Sequence, residues 1–148
     1  MRIWTRFALA LGLMLVPLVA AAQYKDLDQA LSNLNRGFGS GDTQAIVAGI
    51  DSGDQVVLQF PGLVKQSGEP RPFGRDQAQY LLDSLFNSVK PSAFEQTNGR
   101  GGKNEGQYQL QGRWTINVGG KAATRDLYIR LQWKTDHWSL LSVTSAGK

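Results

Sequence analysis

The sequence has no cysteine and only one histidine, His137. The lack of cysteine excludes disulfide bonds, thiolate zinc sites, iron–sulfur clusters and a cysteine nucleophile. A single histidine excludes any site that needs two imidazoles, and no metal ion or other cofactor is expected. Charged residues make up 19% of the chain and hydrophobic residues 41%, which is too apolar for wholesale disorder. The 148 residues are enough for one domain with a core of its own.

The amino terminus has the pattern of a secretory signal peptide. Arg2 and Arg6 precede an apolar run over residues 7–19, and three alanines at 20–22 supply the small residues that a signal peptidase reads. A membrane anchor is the alternative, but a spanning helix needs about 20 apolar residues and this run is shorter. We therefore predict a signal peptide over residues 1–22, cleaved after Ala22, and a single domain over residues 23–148. The mature protein is expected in the periplasm or outside the cell, with no membrane span.

The positive charge of the chain belongs partly to the predicted signal. The formal net charge is +4, from 16 basic and 12 acidic residues, and two of the basic residues lie before residue 23. Residues 23–148 therefore carry 14 basic and 12 acidic groups, a net charge of +2. Such a small excess gives no reason to expect binding to nucleic acid.

Three stretches have the apolar periodicity of helices. Apolar residues recur every three or four positions from 27 to 38, ahead of a glycine-rich stop at 37–41. A shorter helix follows over residues 43–50, capped by Ser40 or Asp42. A strand over residues 55–60 and a polar loop over residues 65–74 come next. The third helix begins near Asp76, has a buried stripe from Ala78 to Val89, and ends before Pro91.

The last third of the chain has the patterning of strands. Residues 107–118 alternate strictly, with polar side chains at odd positions, and Gly119-Gly120 is typical of a two-residue hairpin turn. The return strand runs to residue 134, a turn follows over 134–137, and a final strand covers 138–143. A short strand over 93–97 and a glycine-rich loop over 99–106 precede them. The order α-α-β-α-β-β-β-β predicts an α+β fold, with N-terminal helices packed on one face of a curved antiparallel sheet.

With this order of elements the chain resembles the nuclear transport factor 2-like fold, also called the cystatin-like cone fold. The narrower features of the sequence are Gly41-Asp42 before Ala45-Ile46, the strand 57–60, Gln77-Ala78 before Leu81-Leu82 and Leu85-Phe86, residues 90–94, residues 105–108, Gly112 and the closing hairpin 130–138. In these stretches, over roughly residues 25–145, the chain resembles domain of unknown function 4783, a family of small exported bacterial proteins. The resemblance implies a cavity between the sheet and the helices. Some relatives use this cavity for isomerase or cyclase chemistry and many only bind. The narrower family has no assigned activity, so no catalytic residue is carried over.

The ionisable residues do not form an obvious catalytic set. An isomerase of this fold would need a carboxylate in an apolar cavity and a donor for the developing oxyanion. The acidic residues lie near the ends of elements, in loops or on outward faces, where capping and solubility explain them. His137 lies beside Asp136 at a hairpin turn, and we interpret it as an exposed turn histidine. These two residues alone are too few to hold a metal ion.

Five residues are candidates to line a ligand cavity: Phe60, Tyr108, Trp114, Arg125 and Leu127. For the aromatic residues and Leu127 the alternative is ordinary core packing. Arg125 shares a strand face with Leu127, so it is either an exposed strand end or a rim residue that could meet an acidic ligand.

The opposite strand face is polar and carries Gln107, Gln109, Gln111, Arg113, Tyr128, Arg130, Gln132 and Lys134. It is either a solvated surface or a surface for a polar partner or a second copy in a homodimer, since proteins of this fold often pair through the sheet. We favour an exported, non-catalytic module that binds a small apolar ligand or an envelope protein. The alternatives are an enzyme of the isomerase, dehydratase or cyclase type, and a structural envelope protein that self-associates.

Overall fold

The computed structural model describes residues 23–64 and 71–146, and the predicted signal peptide lies outside them. The elements in chain order are α1 Leu27–Ser40, α2 Thr43–Val47, β1 Gln55–Gln59, β2 Pro72–Gly74, α3 Arg75–Ser88, β3 Val89–Gly102, β4 Gln107–Val118, β5 Lys121–Lys134 and β6 His137–Ser145. The described residues include no helix that is long and apolar enough to cross a bilayer.

The strands form one open sheet in the order β2-β1-β6-β5-β4-β3. Every neighbouring pair is antiparallel except β1 and β6, which run parallel. The predicted α+β fold is therefore confirmed: the helices lie on one face of a curved sheet that is mostly antiparallel. We call the face that packs against the helices the inner face and the opposite one the outer face.

The helix boundaries follow from local capping chemistry. Asp26 accepts a hydrogen bond from the Gln29 amide and starts α1, and Gly41 ends it in the left-handed conformation at φ 79°. The Asp42 carboxylate accepts a hydrogen bond from the Ala45 amide, so Asp42 rather than Ser40 caps α2. These caps turn the chain sharply between the first two helices and place α2 across the end of α1.

Two predicted loops are partly strands. Residues 72–74 of the predicted loop 65–74 form the edge strand β2, and residues 65–70 of that loop lie outside the described residues. Proline lacks an N–H, and it is tolerated on an edge strand because a nitrogen there can face away from the ladder. β3 continues to Gly102 through the predicted glycine-rich loop, because its glycines pair with β4. A side chain at Gly101, where φ is 111°, would overlap the backbone carbonyl of Gln107, so glycine is what permits the pairing there.

The inner face of the sheet and the helices enclose the core. Alternate residues of β4 and β5 are buried against the helices, as the period of two predicts. Tyr24 is fully buried, and its hydroxyl donates to the Ala45 carbonyl at 2.8 Å. The Tyr24 carbonyl accepts a hydrogen bond from the Trp138 amide at 2.7 Å, which holds the segment before α1 against β6.

Candidate functional site

A cluster of aromatic rings fills the space between α1, α3 and the sheet. Phe38 packs edge-on against Trp114, with ring centroids 5.8 Å apart, and Phe60 lies 6.1 Å from Trp114. Phe86 and Phe94 each lie 6.1 Å from Phe38. The Trp114 indole nitrogen donates to the Phe38 carbonyl at 2.8 Å, which ties the end of α1 to the middle of β4. The centre of the cone is therefore occupied by packed side chains.

Four of the five predicted cavity residues lie together on the inner face. Trp114 is directly opposite Arg125, Leu127 follows two positions along β5, and Phe60 packs on Trp114. The side chains of Phe60, Trp114 and Leu127 are fully buried in the core. Tyr108 is separate, because it pairs with Leu131 further along the sheet, where its hydroxyl accepts a hydrogen bond from the Gln96 amide at 3.0 Å.

Arg125 is the one charged member of this group and is half-buried. Its guanidinium donates to the Thr124 carbonyl at 3.3 Å, and its Nε is buried with no hydrogen-bond partner among the described residues. This placement matches a rim position better than a freely exposed strand end. Ligand contact at any of the five residues remains a prediction.

The interior has no ionisable group suited to proton transfer near neutral pH within the described ranges. The buried polar residues there are Asn33, Thr43, Ser139 and Ser145, none of which carries a carboxylate or an imidazole. The Tyr24 phenol is also buried, and burial raises its pKa far above the ordinary value. The carboxylate that an isomerase of this fold would need is absent from the part of the core that the structure describes.

A groove of about 670 Å³ lies between β2 and α3. It is lined by Val64, Arg71, Pro72, Phe73, Asp76, Gln77, Tyr80, Leu81 and Ser84. On α3 the lining residues are spaced at three and four positions, so they form one stripe beside the stripe that faces the core. Tyr80 is 77% exposed, although its ring is large and mostly apolar. We call this feature the α3 groove.

The sequence does not predict the α3 groove, because the composition of residues 65–74 indicates a loop and not the strand β2. The available signal was Tyr80, an aromatic residue outside the buried stripe of an amphipathic helix. None of the five predicted cavity residues is among the residues that line this groove.

The interpretation of His137 as an exposed turn residue is wrong, because its side chain is only 16% exposed. Its Nε2 lies 2.8 Å from a carboxylate oxygen of Asp51, and its Nδ1 lies 2.6 Å from Asp136. Lys134 also contacts Asp51, at 3.1 Å, and forms an ion pair with Asp54. The cluster thus joins the turn before β1 to the β5–β6 hairpin, a contact between distant parts of the sequence.

The charges in this cluster reinforce one another. Hydrogen bonding to Asp136, and then to Asp51, raises the pKa of His137 above its usual range. Partial burial alone would raise the pKa of Asp51, but hydrogen bonds from His137 and Lys134 outweigh it and lower that pKa. Hydrogen bonding to Asp54 raises the pKa of Lys134. Across the described residues, no three histidine, cysteine, aspartate or glutamate side chains are arranged to hold a metal ion.

Comparisons with known proteins identify the fold. No protein-family model matches the chain, and no curated protein sequence is detectably similar to it. A domain of unknown function 4783 family protein from Bacteroides fragilis YCH46 superposes with a TM-score of 0.62 at 13% identity, over 78% of this chain and 96% of its own. A nuclear transport factor 2-like protein of unknown function from Shewanella oneidensis MR-1 gives 0.58 at 17% identity, over 81% and 95%.

A third neighbour was solved with a small molecule. It is a hypothetical protein from Catenulispora acidiphila with a ketosteroid isomerase-like fold, in complex with trimethylamine, and it superposes with a TM-score of 0.59 at 8% identity, over 80% of this chain and 85% of its own. These neighbours share the nuclear transport factor 2-like fold with this chain, and they include members of the family that the sequence resembles.

Proposed function

From the nuclear transport factor 2-like fold of this chain, we propose that it is an exported, non-catalytic binding module whose residues 23–148 act as one domain. The domain holds a small, largely apolar molecule in the α3 groove. The observation that carries this proposal is the groove itself: its volume of about 670 Å³ falls in the range typical of small-molecule sites.

The groove has the composition that such sites usually have. Val64, Pro72, Phe73 and Leu81 supply apolar contacts, and the Tyr80 ring stands at the surface where a ligand would cover it. The groove also contains polar and charged groups, which would orient a polar end of the ligand: Arg71, Asp76, Gln77 and Ser84. A small, largely apolar molecule with a polar end is the ligand class that fits this lining.

Binding is favoured over catalysis by the content of the cone. Isomerase chemistry of this fold needs a carboxylate that faces an apolar cavity, and the described interior has aromatic rings in that position. The neighbour from Catenulispora acidiphila is consistent with a binding role for the fold, because it was solved in complex with trimethylamine. An enzyme of the isomerase, dehydratase or cyclase type would have to place its acid–base groups at the surface of this chain.

Native mass spectrometry of the mature protein, purified gently from the envelope of its own host, tests this proposal. We expect a reproducible added mass that identifies the ligand. Tyr80→Ser removes the exposed ring from the groove and should abolish the adduct. Asp83→Ser alters an exposed α3 residue that does not line the groove, so it is the matched control and should retain the adduct. An adduct that survives Tyr80→Ser would show that the ligand lies elsewhere, and a bare protein from every preparation would contradict small-ligand binding.

Self-association through the outer face of the sheet is the second candidate role. The side chains of this face are exposed or half-buried, and Tyr128 presents a ring that is 45% exposed. A homodimer would cover this ring, as would an envelope protein bound as a partner. Sedimentation equilibrium measures the mass directly, and a monomer mass that is independent of concentration would contradict the homodimer.

A further inference from the structure

A shallow cleft of about 320 Å³ lies on the outer face, across β3, β4 and β5. Cross-strand pairing places its side chains in two adjacent rows, since directly opposed residues project from the same face of a sheet. The first row is Asn98, Gln111 and Tyr128, and the second row is Arg100, Gln109 and Arg130. We call this feature the outer cleft. It lies on the opposite face of the sheet from α3.

The two arginines of the outer cleft have no carboxylate partner. Neither Arg100 nor Arg130 forms an ion pair among the described residues, and Arg130 has only a weak hydrogen bond, at 3.3 Å, to the amide oxygen of Gln107. Glu105 lies in the turn beyond Gly102 and makes no described ion pair with either guanidinium. The second row therefore presents two positive charges to solvent, with no ion-pair partner for them in residues 23–64 and 71–146.

Arg113 on the same face shows the contrasting arrangement. It is directly opposite Glu95 on one side and Asp126 on the other, so carboxylates flank it on both neighbouring strands. No ion pair within 4 Å joins Arg113 to either carboxylate, but both lie directly across the strands from it. Arg100 and Arg130 differ in that no acidic residue is directly opposite either of them on a neighbouring strand.

The remaining side chains of the cleft are suited to a hydroxylated ligand. The amides of Asn98, Gln109 and Gln111 can each donate and accept hydrogen bonds, as sugar hydroxyls do. The Tyr128 ring is nearly half exposed beside them, and its flat apolar face can pack on the carbon face of a sugar ring. None of the residues lining the cleft is acidic, so nothing in it repels an anion.

We infer that the outer cleft binds an acidic oligosaccharide. Each guanidinium would pair with an anionic group on the sugar, a carboxylate or a sulfate, because guanidinium matches both geometrically. Arg100 and Arg130 lie two strands apart, about 10 Å, so they meet anionic groups on neighbouring sugars and not on one. The amides hold the hydroxyls between them and Tyr128 supports a ring. This site is independent of the α3 groove.

Calorimetric titration of the full chain with a galacturonate hexamer tests the inference. The methyl-esterified hexamer has the same sugars without the charge, and dextran sulfate distinguishes sulfate from carboxylate as the preferred anion. We expect the acidic hexamer to bind at least tenfold more tightly than its ester. Arg100→Gln and Arg130→Gln should each weaken binding about tenfold, since each removes a charge-assisted pair. Stronger binding of dextran sulfate would identify sulfate as the anion and would also support the site.

Arg113→Gln is the matched control, because it removes the same charge from the same face. Its row is about 13 Å from the arginine row of the cleft, beyond the screening length of about 8 Å at physiological salt. It should therefore change the affinity by less than about twofold. All three positions are exposed, so thermal unfolding curves should confirm that each variant stays folded.

Four results would overturn the inference. Equal losses in Arg113→Gln and in the cleft variants would reveal a general charge effect. Equal affinity for the ester would show that the cleft does not recognise charge. Equal affinity for a single-stranded oligonucleotide would show that the cleft binds any polyanion and does not recognise an oligosaccharide. Dissociation of a dimer by Arg130→Gln would make the face an interface between copies. Because Tyr80→Ser leaves the outer cleft untouched, failure in the α3 groove is measured separately.

Discussion

Replacement of Trp114 by phenylalanine measures how strongly the aromatic cluster holds the fold together. The indole is fully buried, and its N–H donates to the Phe38 carbonyl at 2.8 Å. Phenylalanine keeps a ring but cannot donate, so the Phe38 carbonyl loses this donor inside the core at a cost of about 1–3 kcal/mol. The smaller ring also leaves a cavity where Trp114 now touches Phe60, and large-to-small changes of this kind add about 1 kcal/mol or more. We expect the free energy of unfolding to fall by about 2–4 kcal/mol.

Urea denaturation followed by far-ultraviolet circular dichroism measures this change without relying on tryptophan fluorescence. Trp133→Phe is the matched control, since Trp133 is only half-buried and no described hydrogen bond involves its indole nitrogen. The control should lose about 1 kcal/mol or less. If Trp114→Phe costs no more than Trp133→Phe, the argument that the Trp114 hydrogen bond and packing anchor α1 to the sheet is wrong.

Two further predictions concern other buried contacts. Neighbouring carboxylates raise the pKa of His137 in the folded state. Its ion pairs therefore stabilise the fold fully below the unfolded-state pKa of about 6.5, and this stabilisation is lost as the pH rises through the folded-state pKa. The Tm of the wild type should therefore fall more between pH 6 and pH 9 than the Tm of His137→Gln, and parallel profiles would contradict this. Gly49→Ala should lower the Tm by several degrees, because a Cβ there would overlap the Tyr24 ring, whereas a Cβ at Gly39 meets no atom closer than 3.5 Å and Gly39→Ala should not. Equal Tm values for the two glycine variants would show that the Tyr24 ring moves aside easily.

The sheet could be predicted where each strand has one buried and one exposed face. Residues 107–118 alternate in sequence, and β4 covers this stretch with the even positions largely buried. The glycine pair at 119–120 was predicted as a hairpin turn, and both residues have the positive φ that a two-residue turn requires, 59° and 83°. In such segments the local sequence pattern and the burial in the folded sheet favour the same residues, so the sequence alone is sufficient to predict the strand.

Prediction failed where pairing overrode composition. The glycines at 99–102 are typical of a loop, yet they extend β3 because β4 offers an unpaired edge beside them. β3 also contains two register shifts that no local sequence pattern predicts. Which residues face each other across the sheet, including Arg100 and Arg130 with Gln109 between them, depends on this register.

Contacts between distant parts of the sequence could not be predicted either. His137 and Asp51 are 86 positions apart, and the sequence around each of them indicates only an ordinary turn residue. Their contact arises because the β5–β6 hairpin ends beside the turn that precedes β1. The α3 groove has the same origin, because it exists only once β2 has paired with β1 and placed Phe73 opposite the exposed side of the helix.

The filled cone explains why the proposed sites lie at the surface. Phe38, Phe60 and Trp114 occupy the space in which relatives of this fold are expected to have a cavity, and their packing makes that space part of the folding core. A ligand that entered it would have to displace rings whose burial stabilises the fold. The α3 groove and the outer cleft avoid this conflict, because neither is lined by the rings of this cluster. The packed sheet separates the two sites, so substitutions in one should leave binding at the other unchanged.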